Sequence, residues 1–140
     1  MSGAHRLLSP PEMAPAVGFA HAVAAASGRL VSVAGQVAAD ASGAVVGATL
    51  LEQLDTTLGN VVGALRAAGA RPEDVVFMQL FTTAMGEYRR SRAEIGRVYR
   101  RHFARHYPAM ALVAVSELVD PAALVEVVAT AVVPEQRAQT

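Results

Sequence analysis

The chain has 140 residues, enough for one domain with a substantial core, and its 12 acidic and 12 basic residues give a formal net charge of zero. Zero net charge argues against non-specific binding of nucleic acid, which needs a strong positive field. All twelve basic residues are arginine and cysteine is absent, which excludes a lysine Schiff base, thiol nucleophiles and disulfides.

Apolar residues make up 53% of the chain, and many of them are the small residues Ala and Val. This excess suggests that part of the core lies between subunits, because a monomer would expose it as a patch. No apolar run reaches membrane-spanning length without a polar break, and the Ala-rich segment 13–26 is interrupted by Pro15 and His21. We therefore expect a cytoplasmic protein that does not enter the membrane.

The first third of the chain predicts a loose entry followed by a hairpin. Residues 1–17 form the loosely ordered entry, in which residues 6–8 are a candidate edge strand. Residues 19–26 and 29–36 have strand character and are separated by Ser27-Gly28, a turn signal, so they are predicted to pair with each other.

Residues 49–69 carry the strongest helix signal. Thr49 is a candidate N-cap with Glu52 three residues later, the spacing of a capping box. Gly69 is a candidate C′ residue, and Pro72 prevents continuation. A strand over 74–83 is predicted to follow. The apolar residues of the helix recur at helical period: Leu50, Leu51, Leu54, Leu58, Val61, Val62 and Leu65.

A second helix is predicted from about Glu87 to Arg105, with an arginine-rich face opposite its apolar one. We interpret that face as solvated, with pairs such as Glu94–Arg90 or Glu94–Arg97; contacts with phosphate or RNA are the alternative. His102 and His106 are four residues apart, a spacing that can bind metal, but no cysteine or acid completes such a motif. We predict neither a metal nor a cofactor.

Residues 108–133 predict two strands around a turn at Asp120-Pro121. The stretch is almost continuously apolar, which predicts that both faces of these strands are covered. Glu126 is the one acid in the second strand, and a lone buried carboxylate costs several kcal/mol unless it is paired, hydrogen-bonded or protonated. It is therefore a candidate general acid–base, or else the partner of an arginine across a subunit interface.

The resulting order is β-β-α-β-α-β-β in a single domain, residues 1–140, with a tail at 135–140. An α+β sheet with both helices packed on one face is the natural architecture for this order. Its other face is left apolar, and oligomerisation is the simplest way to cover it.

Five short motifs stand in a specific order along the chain: G-F-A-H-A-V at 18–23, V-A-G-Q at 33–36, A-A-G-A-R-P-E-D-V-V at 67–76, Y-P-A at 107–109 and L-V-E-V at 124–127. Together they resemble the RidA/YjgF family of reactive-intermediate deaminases over about residues 17–133. The resemblance implies a chorismate-mutase-like fold and a barrel-like homotrimer with a ligand cleft at each subunit interface. It also implies hydrolysis of 2-imino or 2-enamino acids to 2-keto acids with release of ammonia.

The resemblance assigns site residues and also reveals a departure. The family's carboxylate-binding arginine, just after the Pro-Ala pair, is Met110 here, and a thioether cannot replace a guanidinium. The family's frequent tyrosine in the first strand is Phe19, and its serine before Gly-Gln is Ala34. Its water-activating acid matches Glu126. Gly35 and Gln36 match as well.

These positions predict one apolar pocket lined by Phe19, Ala34, Met110, Leu112 and Glu126, for a ligand that is neutral or carries its polar group elsewhere. His21 shares a strand face with Phe19 if the strand is regular, and is a candidate base, although a hydrogen-bonded core or interface histidine is the preferred interpretation. Tyr107 and Glu117 are further candidates for the same cleft.

The leading hypothesis is a divergent RidA-like enzyme that acts on an imine, enamine or related reactive small molecule without the usual carboxylate anchor. Glu126 would activate water or transfer a proton in an intersubunit cleft, and backbone groups near Gly35 could polarise the ligand. The alternative is a non-catalytic trimeric protein that binds a small molecule and retains the cleft.

Overall fold

The structure, a computed structural model, describes residues 4–138. The strands in this range are β1 (Arg6–Leu8), β2 (Ala22–Ala24), β3 (Gly28–Gln36), β4 (Val75–Thr82), β5 (Ala109–Ala114) and β6 (Val125–Pro134). The α-helices are α1 (Leu50–Ala67), α2 (Met85–Arg90), α3 (Arg92–Phe103) and α4 (Glu135–Ala138), and residues Pro72–Asp74 form one turn of 3₁₀ helix.

A four-stranded sheet in the order β3-β6-β4-β5 organises the chain. The central strand β6 is antiparallel to both of its neighbours, whereas β4 and β5 are parallel. Alternate residues of β6 are fully buried towards the helices, and the residues between them are only half-buried on the other face, which we call the open face. The predicted α+β architecture with helices on one face is confirmed. The residues of β6 on the helix side are Val125, Val127, Ala129, Ala131 and Val133.

The first helix forms as predicted. Thr49 is its N-cap, and the Thr49 hydroxyl accepts a hydrogen bond from the Glu52 N–H at 3.2 Å. The Glu52 carboxylate caps the N–H of Ala48 rather than that of Thr49, so the capping box is shifted by one residue. Gly69 has φ +75°, as expected for a C′ residue. Apolar residues of this helix form the centre of the core against β3 and β6.

The predicted hairpin of residues 19–26 with 29–36 is wrong. Of residues 19–26, only Ala22–Ala24 forms a strand, and it pairs with β1. The predicted partner, residues 29–36, belongs to β3, which pairs with β6 instead. The Gly28 that looked like a turn residue instead permits close approach, because a Cβ there would lie 2.1 Å from the Val133 carbonyl oxygen. Pairing with β6 also buries Val31 and Val33 under the helices, which a local hairpin could not do.

The predicted entry and tail are more ordered than expected. Residues 6–8 form β1, and the ring of the buried His5 bonds the Val132 carbonyl at 2.9 Å and the Ala26 N–H at 3.1 Å. At the other end the chain forms α4, from which Arg137 pairs with the buried Asp74. These long-range polar contacts hold both segments to the domain; residues 1–3 and 139–140 lie outside the described range.

The two strands predicted within residues 108–133 both form, but they are not neighbours, because β4 lies between them. The turn at Asp120-Pro121 is present, and the Asp120 carboxylate accepts the N–H of Ala122 at 2.9 Å. It belongs to a crossing loop over residues 115–124 rather than to a hairpin. As the edge strand, β5 leaves Val113 on the open face exposed, so within one copy the helices cover only one face of these strands and the covering of the other face stays a prediction.

The predicted second helix is divided at Ser91 into α2 and α3 and ends at Phe103. Ala104 adopts φ +50°, which stops the helix before Arg105. Ser91 and Ala84 cap these helices without a side-chain hydrogen bond, so the break carries no N-cap signal in the sequence. No helix within residues 4–138 is long and apolar enough to span a membrane.

Gln53 joins three separate parts of the chain and is only 2% exposed. Its amide donates to the carbonyls of Gly47 at 3.0 Å and Ala122 at 2.9 Å, and its carbonyl accepts the N–H of Leu124 at 2.8 Å. One side chain thereby fixes the loop before α1 and the loop that enters β6.

We expect Gln53→Met to lower the free energy of unfolding by roughly 2–4 kcal/mol, because it keeps the side-chain volume but leaves buried backbone groups unpaired. Urea denaturation at a fixed protein concentration measures the change. Gln136→Met, at an exposed position, is the matched control. Equal midpoints for the two variants would contradict the role of Gln53.

Candidate functional site

A cleft of about 950 Å³ lies on the helix side of the sheet, between α3 and the edge strand β5. Residues 16–19 of the entry segment complete its rim. Its location follows from the sheet order, because the edge strand has a neighbour on one side only. A concave, mainly apolar site of this size is suited to a small organic ligand.

The floor of the cleft is apolar. Met110 and Leu112 of β5 pair in register with Met78 and Leu80 of β4, so all four side chains face the helices. Met110, Leu112 and Leu80 line the cleft. The floor therefore offers dispersion contacts and a polarisable thioether, but no cation.

Aromatic rings form the inner wall. Tyr99 stacks on Phe103 at 5.1 Å and on Tyr107 at 5.3 Å between ring centroids, and its hydroxyl donates to the His106 carbonyl at 2.6 Å. Burial raises the pKa of Tyr99, so this hydroxyl stays protonated and keeps donating at neutral pH. The stack gives the cleft a rigid, flat surface against which an apolar ligand can pack.

Phe19 lies at the mouth of the cleft, where Tyr88 also contributes. The rings of His21 and Phe19 contact each other edge-on, with 5.2 Å between their centroids. The Nε2 atom of His21 lies 2.7 Å from the carbonyl oxygen of Ala14. His21 is thus engaged with its own loop and is not among the residues that line the cleft.

The outer wall is cationic, since Arg92, Arg97 and Arg100 of α3 line the cleft and none of the lining residues is acidic. Gly96 lies between them on the same helix face. The sequence pattern of an arginine-rich face is confirmed, and Glu94 pairs with Arg97 at 3.5 Å. The arginines of this face are exposed, as predicted, and three of them also line the cleft.

Glu126 lies on the other side of the sheet. It pairs in register with Phe81, whose side chain points away from the helices, and both residues are half-buried on the open face. The Glu126 carboxylate packs directly against Gly35: a Cβ at position 35 would lie 2.4 Å from Oε2. Gly35 sits where β3 shifts its register against β6, so the bulge and the missing side chain together leave room for the carboxylate.

The neighbours of Gly35 occupy the same bulge. Ala34 is exposed, and the side-chain amide of Gln36 donates to the Ala34 carbonyl at 3.0 Å. Gln36 pairs in register with Val127, a residue on the helix side of β6. Gln36 therefore supports the bulge locally.

Within one copy of the chain, the residues predicted to line one intersubunit pocket lie on two faces of the sheet. Met110, Leu112 and Phe19 line the cleft, whereas Glu126 and Gly35 lie on the open face. Successive side chains of a strand point to opposite faces of the sheet. In the register with β4, Met110 lies beside Met78 on the helix side, whereas Glu126 lies beside Phe81 on the open face.

Sequence reasoning missed the arginines of the outer wall, although positions 92, 96 and 100 recur at a helical spacing that places them on one face. Tyr107, one of the two further candidates from the sequence, lines the cleft. The other candidate, Glu117, is exposed and does not line it. His102 bonds Asp55 at 2.7 Å, and His106 bonds the Val75 carbonyl at 2.7 Å. Within residues 4–138 no group of three or more potential ligands could hold a metal ion.

Comparison with known proteins places this fold in a family. The family model described as endoribonuclease L-PSP matches residues 10–133. No curated protein sequence matches the chain.

Solved structures share the fold. YyfB from Yersinia pestis, of the conserved Rid family, is 35% identical with a TM-score of 0.84, and the match covers 94% of this chain and 100% of YyfB. Rv2704 from Mycobacterium tuberculosis, of the YjgF/YER057c/UK114 family, is 32% identical with a TM-score of 0.63, covering 92% and 99%. TdcF from E. coli, solved with bound serine, is 26% identical with a TM-score of 0.65, covering 91% and 98%. The chain belongs to the Rid/YjgF family, whose model carries the description endoribonuclease L-PSP.

Proposed function

We propose that the chain is a divergent Rid-type enzyme that hydrolyses an imine, or an enamine after its conversion to the imine, on a small molecule without a carboxylate on the reacting carbon. The observation that carries this proposal is the contact between Glu126 and Gly35, two positions that match the family motifs. Gly35, on the edge strand β3, leaves space for the carboxylate of Glu126 on the central strand β6. The serine bound to TdcF supports a ligand of amino-acid size in a related protein.

The proposed chemistry needs one proton acceptor and one water. The Glu126 carboxylate takes a proton from water as the water oxygen bonds to the imine carbon, and the resulting Glu126 carboxylic acid returns that proton to the nitrogen to give a carbinolamine. The carboxylate then takes the proton of the carbinolamine hydroxyl and passes it to the nitrogen. Collapse of the carbinolamine breaks the C–N bond and forms the C=O bond. One imine and one water thus become one carbonyl compound and one ammonia.

The position of Met110 limits the substrate. In the cleft it contributes a thioether at the floor, where a guanidinium would be needed to hold a 2-carboxylate. A substrate without that carboxylate needs no guanidinium at position 110. Its reacting carbon can therefore lie over the apolar floor without the loss of a polar contact. Placing Phe19 at the mouth, without a hydroxyl, fits the same substrate.

A homotrimer would unite the two halves of the site. Glu126 and the cleft lie on opposite faces of one sheet, so a site that uses both needs two copies of the chain. The open face also exposes apolar side chains: Leu30 is 65%, Val113 44% and Phe77 39% exposed. Burying them between copies is favourable, and the assembly would bring Glu126 of one copy to the cleft of the next.

We therefore expect static light scattering to give a particle of three chain masses. Leu30→Glu, which puts a charge on the open face, should shift the particle towards the monomer, because the charge would have to be desolvated at the interface. Arg6→Glu, on an exposed residue of β1, is the control. A wild-type monomer at micromolar concentration would remove the interface cleft from the proposal.

An ammonia-release assay tests the chemistry, with imines generated in situ by an amine oxidase or, for 2-imino acids, an amino-acid oxidase. We expect acceleration over spontaneous hydrolysis with imines that lack the 2-carboxylate, and a loss of at least about 100-fold in Glu126→Gln, since the base is removed. Met110→Arg should shift preference towards 2-imino acids.

Wild-type activity on 2-imino acids would mean that their carboxylate is held elsewhere. If no variant turns over either class, the non-catalytic binding protein becomes the better description. In that case Glu126→Gln would change ligand affinity alone.

Gly35→Ala tests whether activity depends on the contact between Gly35 and the Glu126 carboxylate. The new Cβ would lie 2.4 Å from Glu126 Oε2, so the carboxylate must move, and we expect activity to fall at least about tenfold. Gly63→Ala is the matched control, because nothing lies within 4 Å of its Cβ and the helix should gain roughly 0.5–1 kcal/mol. Unchanged activity in a folded Gly35→Ala protein would separate this contact from catalysis.

A further inference from the structure

We infer that Arg92 and Arg100 of α3 form an anion-binding position in the cleft, which selects ligands with an apolar body and an anionic group remote from the reacting carbon. This inference rests on the proposed function only for the reacting end of the ligand. The anion position itself is argued from the charges of the cleft.

Ion pairing separates the arginines of α3 into two groups. Arg97 pairs with Glu94 at 3.5 Å, and Arg101 pairs with Asp55 at 3.4 Å. Among residues 4–138, no carboxylate lies within ion-pair distance of Arg92 or Arg100. Both of these arginines line the cleft, so the uncompensated charge of the helix is concentrated there.

The remainder of the cleft does not neutralise that charge. Its lining includes three arginines and no aspartate or glutamate, although the chain as a whole has zero net charge. An anion that enters the cleft meets a positive potential that is strengthened by the low-dielectric floor and aromatic wall. A cationic ligand would be repelled at the same place.

Helix geometry places Arg92 and Arg100 on the same face of α3. Arg92, Gly96 and Arg100 follow one another at i, i+4 and i+8 on one face of α3. Gly96 contributes no side chain, and the Arg100 guanidinium lies over it, with Nη1 3.1 Å from the place that a Cβ would occupy. The missing side chain at Gly96 therefore lets the Arg100 guanidinium pack against the helix on the face that lines the cleft.

The same geometry defines the ligand. The guanidinium groups are on the helix wall, whereas Met110 and Leu112 are on the sheet floor, so an anion bound by the arginines is displaced from the floor. A ligand that spans both needs an apolar or aromatic part that packs against Tyr107 and Met110. Carboxylate and phosphate monoester both match the planar fork of arginine.

Isothermal titration calorimetry at low ionic strength tests the inference with 4-phenylbutanoate and its neutral counterpart, 4-phenylbutanamide. We expect the wild-type protein to bind the carboxylate roughly tenfold more tightly than the amide, and 200 mM salt to reduce this preference. Arg92→Gln combined with Arg100→Gln should bring the ratio close to one. 2-Phenylethyl phosphate in place of the carboxylate reports which anionic group the arginines prefer.

Arg101→Gln is the control, since it removes one arginine charge from the same helix outside the cleft and should keep the tenfold ratio. Equal affinity for acid and amide in the wild type, including no binding of either at millimolar concentration, would overturn the inference. So would tight binding of a single-stranded RNA that Arg92→Gln and Arg100→Gln abolish, because the arginines would then serve RNA. Neither result depends on turnover, so failure here and failure of the ammonia assay are distinguishable.

Discussion

The central strand β6 is the element on which the rest of the structure depends. Because it has a strand on each side and helices on one face only, its alternate residues meet two different environments. One set, including Val127 and Ala131, is fully buried under α1 and forms the core. The other set carries Glu126 on a face that no part of the same copy fully covers. The central place of β6 also pushes β5 to the edge, and the cleft opens beside that edge strand.

This arrangement divides the candidate chemistry between two surfaces. The open face has an acid seated against Gly35, and the cleft has an apolar floor, an aromatic wall and unpaired guanidinium groups. Neither surface alone is a complete site for imine hydrolysis. The exposed apolar residues beside Glu126 give a physical reason for copies to associate, and association is what would join the two surfaces. The proposed anion position is therefore on α3 rather than on the sheet, where Met110 stands in place of the family's arginine. The cleft keeps its cationic character.

Local signals predicted the parts of the fold that depend on local interactions. Helix α1 was predicted from its cap, its period and Gly69, because each of these acts within a few residues. The pairing of β3 with β6 was not predicted, because a glycine at position 28 is compatible both with a turn and with the close approach of two strands. The break at Ser91 was missed as well, because no side chain caps it. Among the site residues, Glu126 was identified as the one acid of an apolar strand and Gly35 through the family resemblance, whereas Arg92 and Arg100 were treated as surface.

The sequence by itself determined the order of the main helices and strands, the one-sided α+β architecture, the family, and the loss of the arginine at position 110. These follow from periodicity, turn chemistry and motifs, all of which are local or additive along the chain. Only the tertiary structure decided which strands are neighbours, and therefore that Met110 and Glu126 face opposite sides and that two arginines of α3 enter the cleft. Strand register is set by packing between segments far apart in the chain, and one step of register moves every side chain to the other face.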